Sequence, residues 1–250
     1  MLTTEERERY SRHLMLSEVG EAGQKKIRDS RVLVIGAGGL GSPAALYLAA
    51  AGIGTIGIAD GDRVDLSNLQ RQIIHSSETI GTAKTESAGR RLRELNPGCR
   101  VELFHQMVDQ QSLPELVRQY DMVLDAVDSL KIKALINDTC VAQGIPFSHA
   151  GILRFQGQAM TVLPGRSACY RCLFAELPPE EECRACEYDG VFGVLPGIIG
   201  TIQAAEVLKC LLGIGQLLTD RLLTFDLLGM RFREVAVRRD LACRVCGGSV

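Results

Sequence analysis

The feature that most constrains this 250-residue chain is a strand, a glycine-rich turn, a helix and a second strand that runs into an acid. Arg31 to Ile35 reads as the strand and Gly36-Ala37-Gly38-Gly39-Leu40-Gly41 as the turn. Ser42 to Ala51 is an alanine-rich helix, and Thr55 to Ala59 is the strand that ends on Asp60. Glycine lets the backbone approach a phosphate, whose charge is favoured at the following helix N-terminus. Asp60 lies about 20 residues beyond the turn, where a carboxylate accepts hydrogen bonds from ribose hydroxyls. A glycine motif alone is a weak signal. The order strand, turn, helix, strand, acid points to a nucleotide site rather than a plain tight turn.

The alternation continues. Thr82 to Leu95 reads as a helix stopped by Asn96-Pro97-Gly98, followed by a strand at Arg100 to Phe104 and a helix at Leu113 to Gln119. A strand at Asp121 to Ala126, a helix at Lys131 to Gln143 and a strand at Pro146 to Ser148 complete the run. Such alternation implies a parallel, doubly wound sheet. The pattern then changes. Ile152 to Leu163, with Gly157 in its middle, Leu222 to Leu228 and Arg231 to Val237 read as paired antiparallel strands, the last two joined by a tight turn at Gly229-Met230. An apolar helix, Ile198 to Leu212, lies between these strand groups, and residues 1 to 30 read as helical and amphipathic around Leu14, Leu16 and Val19. The expected fold class is α/β, a Rossmann-like parallel sheet that continues into antiparallel strands. Pro164 to Pro196, rich in cysteine, proline and glutamate, is a long irregular insertion of the kind that is often functional.

Arg71 and Lys84 decide between nucleotides. Each taken alone is a common solvated side chain. With Asp128, however, they supply two cations and an acid at strand-end or helix-start positions, and ligand crevices in open α/β sheets lie outside the carboxyl ends of the strands. An acid there can hold Mg²⁺ directly or through water, while the cations offset phosphate charge. Hydride transfer to NAD does not need this set; ATP chemistry does.

Of nine cysteines, four form Cys-x-x-Cys pairs at Cys169/Cys172 and Cys243/Cys246, and two more sit at Cys183/Cys186. The N-terminus, Thr3 to Arg12, is charged and polar with no apolar stretch after it, so no signal peptide is expected, and paired cysteines then read as metal ligands or reactive thiols. The outer pairs, roughly 70 residues apart, are expected to form a closed four-thiolate structural Zn²⁺ site, with four unligated cysteines as the alternative. Cys183 and Cys186 stay open between a reactive pair, a spare thiol and a partial second metal site. Cys99, Cys140 and Cys210 read as buried small residues. The four histidines, His13, His75, His105 and His149, show no ligand spacing and are not expected to be catalytic bases. A net charge of −2 gives no global attraction to nucleic acid or an anionic membrane, and glycine or charge interrupts the apolar runs short of a span. No nucleic-acid or membrane partner is expected, and the expected compartment is the cytoplasm.

The sequence resembles the MoeB/ThiF/HesA family, bacterial relatives of ubiquitin-activating enzymes. The matching residues are Arg9-Tyr10-Ser11-Arg12, Gly36 to Gly41, Asp60-Gly61-Asp62, Ser67 to Gln72, Lys84, Asp128 and both outer cysteine pairs, covering nearly the whole chain. The resemblance implies one domain over residues 1–250, with a nucleotide-binding half (1–150) and an antiparallel, zinc-binding, carrier-binding half (151–250). It implies that Gly39, Asp60, Ser67, Asn68, Leu69, Gln70, Arg71, Lys84, Asp128 and Ser129 form the ATP and Mg²⁺ site. Ser129 departs from the family's usual asparagine and shortens the reach there. Arg12 would reach the phosphates of the other subunit in a homodimer, and Cys186 matches a loop cysteine that some relatives link covalently to their substrate. The implied reaction is adenylation of the C-terminal glycine carboxylate of a ubiquitin-fold sulfur carrier (MoaD/ThiS-like, ending in Gly-Gly), for molybdopterin, thiamine or related sulfur transfer. Because the chain ends just after the second cysteine pair, the sulfur donor is expected to be a separate protein. The alternatives are a tRNA-modifying dehydratase of the same superfamily, an NAD-dependent oxidoreductase and an idle binding scaffold.

Overall fold

A computed structural model describes residues 1–176 and 190–248 of the chain. A single eight-stranded sheet runs through it, with strands β1 (Arg31–Ile35), β2 (Thr55–Ala59), β3 (Arg100–Phe104), β4 (Met122–Asp125), β5 (Phe147–Leu153), β6 (Gln156–Val162), β7 (Arg221–Asp226) and β8 (Arg231–Ala236). Their spatial order is β3-β2-β1-β4-β5-β6-β7-β8. The first five strands are parallel, and β6 to β8 are antiparallel. The chain therefore builds outward from β1 to β3 and then reverses to place β4 on the other side of β1. That reversal opens a crevice at the carboxyl ends of β1 and β4, where doubly wound sheets take their ligands.

Side chains alternate between the two faces of the sheet, and each face is buried. One face sets Val32, Val34, Ile56, Ile58 and Leu124 against the helices Gly41–Ala51, Lys84–Leu95 and Leu195–Leu212. The other sets Leu33, Ile35, Val123, Phe147 and Met160 against the helices Leu113–Val117 and Leu130–Gln143. The Leu195–Leu212 helix is apolar and long enough to pass for a membrane span, but half of it is buried here. It packs against the Gly41–Ala51 helix, β5 and β6, and its buried Glu206 accepts hydrogen bonds from Thr161 Oγ1 and the Leu218 N–H, both at 2.6 Å.

Three sequence expectations need correction. The segment 1–30 is three short helices, Thr4–Arg9, Ser11–Leu14 and Gly20–Asp29, with breaks at Tyr10 and at Met15 to Val19, and Leu16 is exposed while Tyr10 is buried. The single strand expected at Ile152 to Leu163 is two strands, because β5 runs on to Leu153 and turns back through Arg154 and Phe155. Arg154 takes the positive φ (52°) of that turn, a position where glycine or asparagine would have signalled a hairpin. Gly157 is needed for packing: a Cβ there would lie 2.5 Å from Ile199 Cγ1. The β7–β8 connection also starts earlier than expected, at Leu227, with Met230 rather than Gly229 at positive φ (49°). The insertion cysteines Cys183 and Cys186 lie outside the described residues.

Candidate active site

The glycine turn leaves β1 at Gly36, whose φ of 100° and close approach to the chain after β4 require glycine, since a Cβ would lie 2.7 Å from the Ala126 carbonyl oxygen. Gly39 has the stem of Arg71 and the ring of Pro196 on its open side, where a Cβ would meet them at 3.5 and 3.0 Å. Asp60, at the end of β2, spans the mouth of the turn. One carboxylate oxygen accepts the Ala37 N–H at 2.8 Å and the other accepts the Asp62 N–H at 2.8 Å. These bonds hold the acid at the sheet edge.

Residues 65–72 form a compact loop beside the turn. Asp65 caps a short 3-10 turn, Leu66–Asn68, by accepting the Ser67 N–H at 2.8 Å, while the Asn68 side-chain oxygen accepts the Asp65 N–H at 3.1 Å. With its oxygen used in that bond, the Asn68 side chain keeps its NH₂ group as a donor. The Arg71 guanidinium donates to the Ser67 carbonyl at 3.2 Å and lines an open groove of about 490 Å³ with Gln70, Ile73, Phe192 and Gly193. Gln70 packs its backbone against Gly193, and Leu69 is half-buried.

Lys84 is the first residue of the Lys84–Leu95 helix, is 6% exposed and pairs with Asp62 Oδ2 at 2.8 Å. A buried cation at a helix N-terminus opposes the helix dipole. Lysine and helix end both favour a negative group there, which Asp62 supplies in this structure. Asp128 follows β4, is exposed, and has no hydrogen bond or ion pair among the described residues. Ser129 is the N-cap of the Leu130–Gln143 helix, accepting the Ile132 N–H at 3.4 Å. Gly39, Asp60, Ser67, Asn68, Arg71, Lys84 and Asp128 all lie on the loops and helix starts at this edge.

Arg12 does not join them. Its neighbours tie that segment to helix C-termini: Arg9 donates to the Leu95 carbonyl at 3.1 Å, and Gln24, bonded to His13, donates to the Ala51 carbonyl at 2.8 Å. Those helices start at the glycine-turn edge and run back along the sheet, which places the segment carrying Arg12 toward the opposite edge.

In the antiparallel half, Cys169, Cys172, Cys243 and Cys246 bring their sulfurs within 4.8 Å of one another. Measured separations are 4.0 Å for Cys169–Cys172, 3.8 Å for Cys169–Cys243 and 3.4 Å for Cys172–Cys246. A tetrahedron of sulfurs 2.3 Å from one Zn²⁺ has edges of about 3.8 Å, so the donor set and spacing fit that ion. The Asp240 N–H points at Cys172 Sγ at 3.4 Å, the kind of outer bond that steadies a thiolate ligand. Arg239 bonds the Cys246 carbonyl at 2.6 Å and the Gly165 carbonyl at 3.1 Å, fastening the tail to the chain beyond β6. Cys99 and Cys140 are buried, and burial pushes the Cys99 thiol up to about 11; Cys210 is only half-buried.

A profile of the ThiF family matches residues 10–245. The chain belongs to the ThiF family. This ThiF-family chain is 47% identical over 240 residues to the SAMP-activating enzyme E1 of Haloferax volcanii, covering 96% of this chain and 88% of that one. The sulfur carrier protein adenylyltransferase of Thermus thermophilus is 43% identical over 250 residues, covering 98% and 92%. The adenylyltransferase and sulfurtransferase MOCS3-1 of Zea mays is 45% identical over 240 residues, and there the match takes in only 51% of the maize chain. Among solved structures, E. coli MccB with MccA-N7isoASN superposes with a TM-score of 0.86 over 99% of this chain and 76% of that one, at 24% identity, a likeness of fold.

Sequence reading missed a buried polar network in this ThiF-family chain. Asp125, the last residue of β4, is fully buried and pairs with the buried Lys133 at 3.2 Å and with His149 Nδ1 at 2.7 Å. Desolvation opposes its charge, but Lys133 and His149 outweigh that and hold the carboxyl below the usual range. Burial, with the Lys133 charge behind it, holds His149 neutral by lowering its pKa. Nδ1 then carries the proton toward Asp125, Nε2 has no hydrogen-bond partner among the described residues, and the His149 and Tyr170 rings lie 4.7 Å apart, centroid to centroid. This network links the base of the Asp128 loop to the cysteine segment. Its members are 8 and 24 residues from Asp125 in sequence, with no motif to join them.

Proposed function

We propose that this chain adenylates the C-terminal glycine carboxylate of a ubiquitin-fold sulfur carrier, using ATP with Mg²⁺ and releasing pyrophosphate. The observation that carries the reading is the meeting of the glycine turn, Asp60, Arg71, Lys84 and Asp128 at one sheet edge, on a chain whose relatives include a sulfur carrier protein adenylyltransferase. A carboxylate oxygen of the carrier attacks the α-phosphorus. The bond from that phosphorus to the bridging oxygen breaks, pyrophosphate leaves with the electron pair, and an acyl-adenylate remains. The protein needs no nucleophile for this step; positioning and charge neutralisation lower the barrier.

Asp60 orients the ribose, and the turn N–H groups and Lys84 take the phosphates. Arg71 stands over the groove along which a carrier tail would enter. Mg²⁺, held through Asp128, would offset charge on the departing pyrophosphate. Arg12, at the far edge of its own subunit, fits a role across a homodimer interface. The four cysteines fit a structural Zn²⁺ that ties the chain after β6 to the tail. Free thiols and ATP chemistry together suit the cytoplasm, and the product suits sulfur insertion into molybdopterin, thiamine or a related compound.

The test is ATP/pyrophosphate exchange against a panel of carrier proteins, with tRNA and NAD as controls. Exchange that depends on a carrier ending in Gly-Gly supports the assignment. Exchange with tRNA instead, or no binding of Mg-ATP, removes it.

A further inference from the structure

A hydrogen-bonded circuit runs through the nucleotide edge and closes on His75. The Ala37 N–H in the glycine turn donates to Asp60 at 2.8 Å, and Asp60 in turn accepts the Asp62 N–H at 2.8 Å. Asp62 pairs with Lys84 at 2.8 Å. Ser87, one turn along the same helix as Lys84, lies 2.9 Å from His75 Nδ1, and His75 Nε2 lies 2.9 Å from the Ala37 carbonyl oxygen. A carbonyl only accepts, so Nε2 carries the proton and Nδ1 accepts from the Ser87 hydroxyl. His75 is 7% exposed, and burial above all, with the nearby Lys84 charge, keeps the ring neutral, which leaves Nδ1 free to accept from Ser87.

We propose that His75 is a positioning residue that holds the Ala37 peptide of the glycine turn and the first turn of the Lys84 helix at a fixed separation. The turn N–H groups and the Lys84 ammonium then converge on the same phosphates before ATP arrives. The inference rests on the nucleotide reading above. Asp60 fixes the N–H side of the turn, and His75 fixes the carbonyl of the same residue, so the turn is anchored on both sides. Without the ring, a buried carbonyl loses its donor and the turn is free to rotate toward another. The carrier-facing groove is not part of this circuit, so the effect falls on ATP.

The experiment compares wild type, His75→Leu, His75→Gln and Ser87→Ala by calorimetric binding of Mg-ATP and by the separate KM values of carrier-dependent pyrophosphate exchange. A glutamine amide nitrogen can replace Nε2 as donor to Ala37. His75→Leu is expected to weaken Mg-ATP binding and raise the KM for ATP roughly tenfold, with the carrier KM unchanged. His75→Gln restores most of that loss, and Ser87→Ala shifts ATP affinity the same way by roughly threefold. Wild-type ATP affinity in His75→Leu, equal rises in both KM values, or a glutamine variant as impaired as the leucine one would each overturn the role. If His75→Leu does not fold, Ser87→Ala decides: unchanged ATP affinity there overturns the proposal. Wild-type protein that fails to bind Mg-ATP overturns the proposed function, and this role with it; normal binding by both wild type and His75→Leu overturns this role alone.

Discussion

In the parallel half of the sheet, β1, β2 and β4 each end in a loop that brings one part of the proposed nucleotide site to the same edge. In the antiparallel half, four cysteines from two segments more than 70 residues apart meet beyond β6. The first site comes from strand topology: parallel strands share a carboxyl edge, so whatever follows each strand is already close in space. The second has no such help, and it needs something to hold the tail against the chain leaving β6. The difference teaches that one half gathers its residues through strand topology and hydrogen-bonded backbone, while the other brings its four cysteines together from distant segments, as the proposed metal clamp requires. Asp125, Lys133 and His149 sit where the two meet.

The comparison is broken most severely at the nucleotide edge. Lys84→Ala and Arg71→Ala are expected to lower carrier-dependent pyrophosphate exchange by at least about 10²-fold, with the circular dichroism spectrum and melting temperature close to wild type. Near-normal exchange in both variants would remove the phosphate site from the parallel half.

Next in size is the clamp. Cys243→Ser, or prolonged chelation of purified protein, is expected to lower the melting temperature by about 10 °C, measured by scanning calorimetry alongside zinc content. If chelated protein retains its melting temperature, or if no stoichiometric zinc is found, the cysteines do not act as a metal clamp.

Acid tests two buried histidines, His75 beside the glycine turn and His149 at the junction between the halves. The pKa values of His75 and His149 both fall below their ordinary 6.5 in the folded chain. As pH drops through about 6.5 the unfolded chain takes up protons that the folded chain refuses, so stability is present above that pH and declines below it. Each histidine contributes a slope of up to about 1.4 kcal/mol per pH unit. Asp125, lowered from 3.8, adds a further loss only below about pH 3.8. Urea unfolding between pH 8 and pH 5 reads the histidine part, and a flat profile would show that neither ring is held neutral.

The smallest effect is expected at Ser129. Asparagine caps a helix about as well as serine, so Ser129→Asn should change stability by less than about 0.5 kcal/mol in the same unfolding assay. A larger loss would mean that the cap is not what this position supplies.

Much of this was legible because the relevant physics is local. β1, β2 and β3 match their expected bounds because short apolar runs between turn residues have few other ways to be buried. Lys84 and Asp60 could be singled out because they stand at a helix start and a strand end. The β5–β6 hairpin was not legible, since Arg154 occupies the left-handed turn position without a glycine to announce it. Nor could His75 be read as part of the site: its role depends on Ala37 and Ser87, 38 and 12 residues away, and no spacing rule connects them.

The sequence by itself determined the alternating strands and helices, the glycine turn, the acid and cations proposed for an ATP site, and the four-cysteine set, because each follows from side-chain periodicity, backbone freedom or ligand chemistry. Tertiary structure alone decided that Arg12 lies at the far edge, that Ser129 caps a helix, that His75 and Asp60 anchor the two sides of one residue, and that Asp125 is neutralised by Lys133. Those outcomes depend on which distant groups share a buried space, where each polar atom must find a partner, and that is settled only when the sheet and its helices close over them.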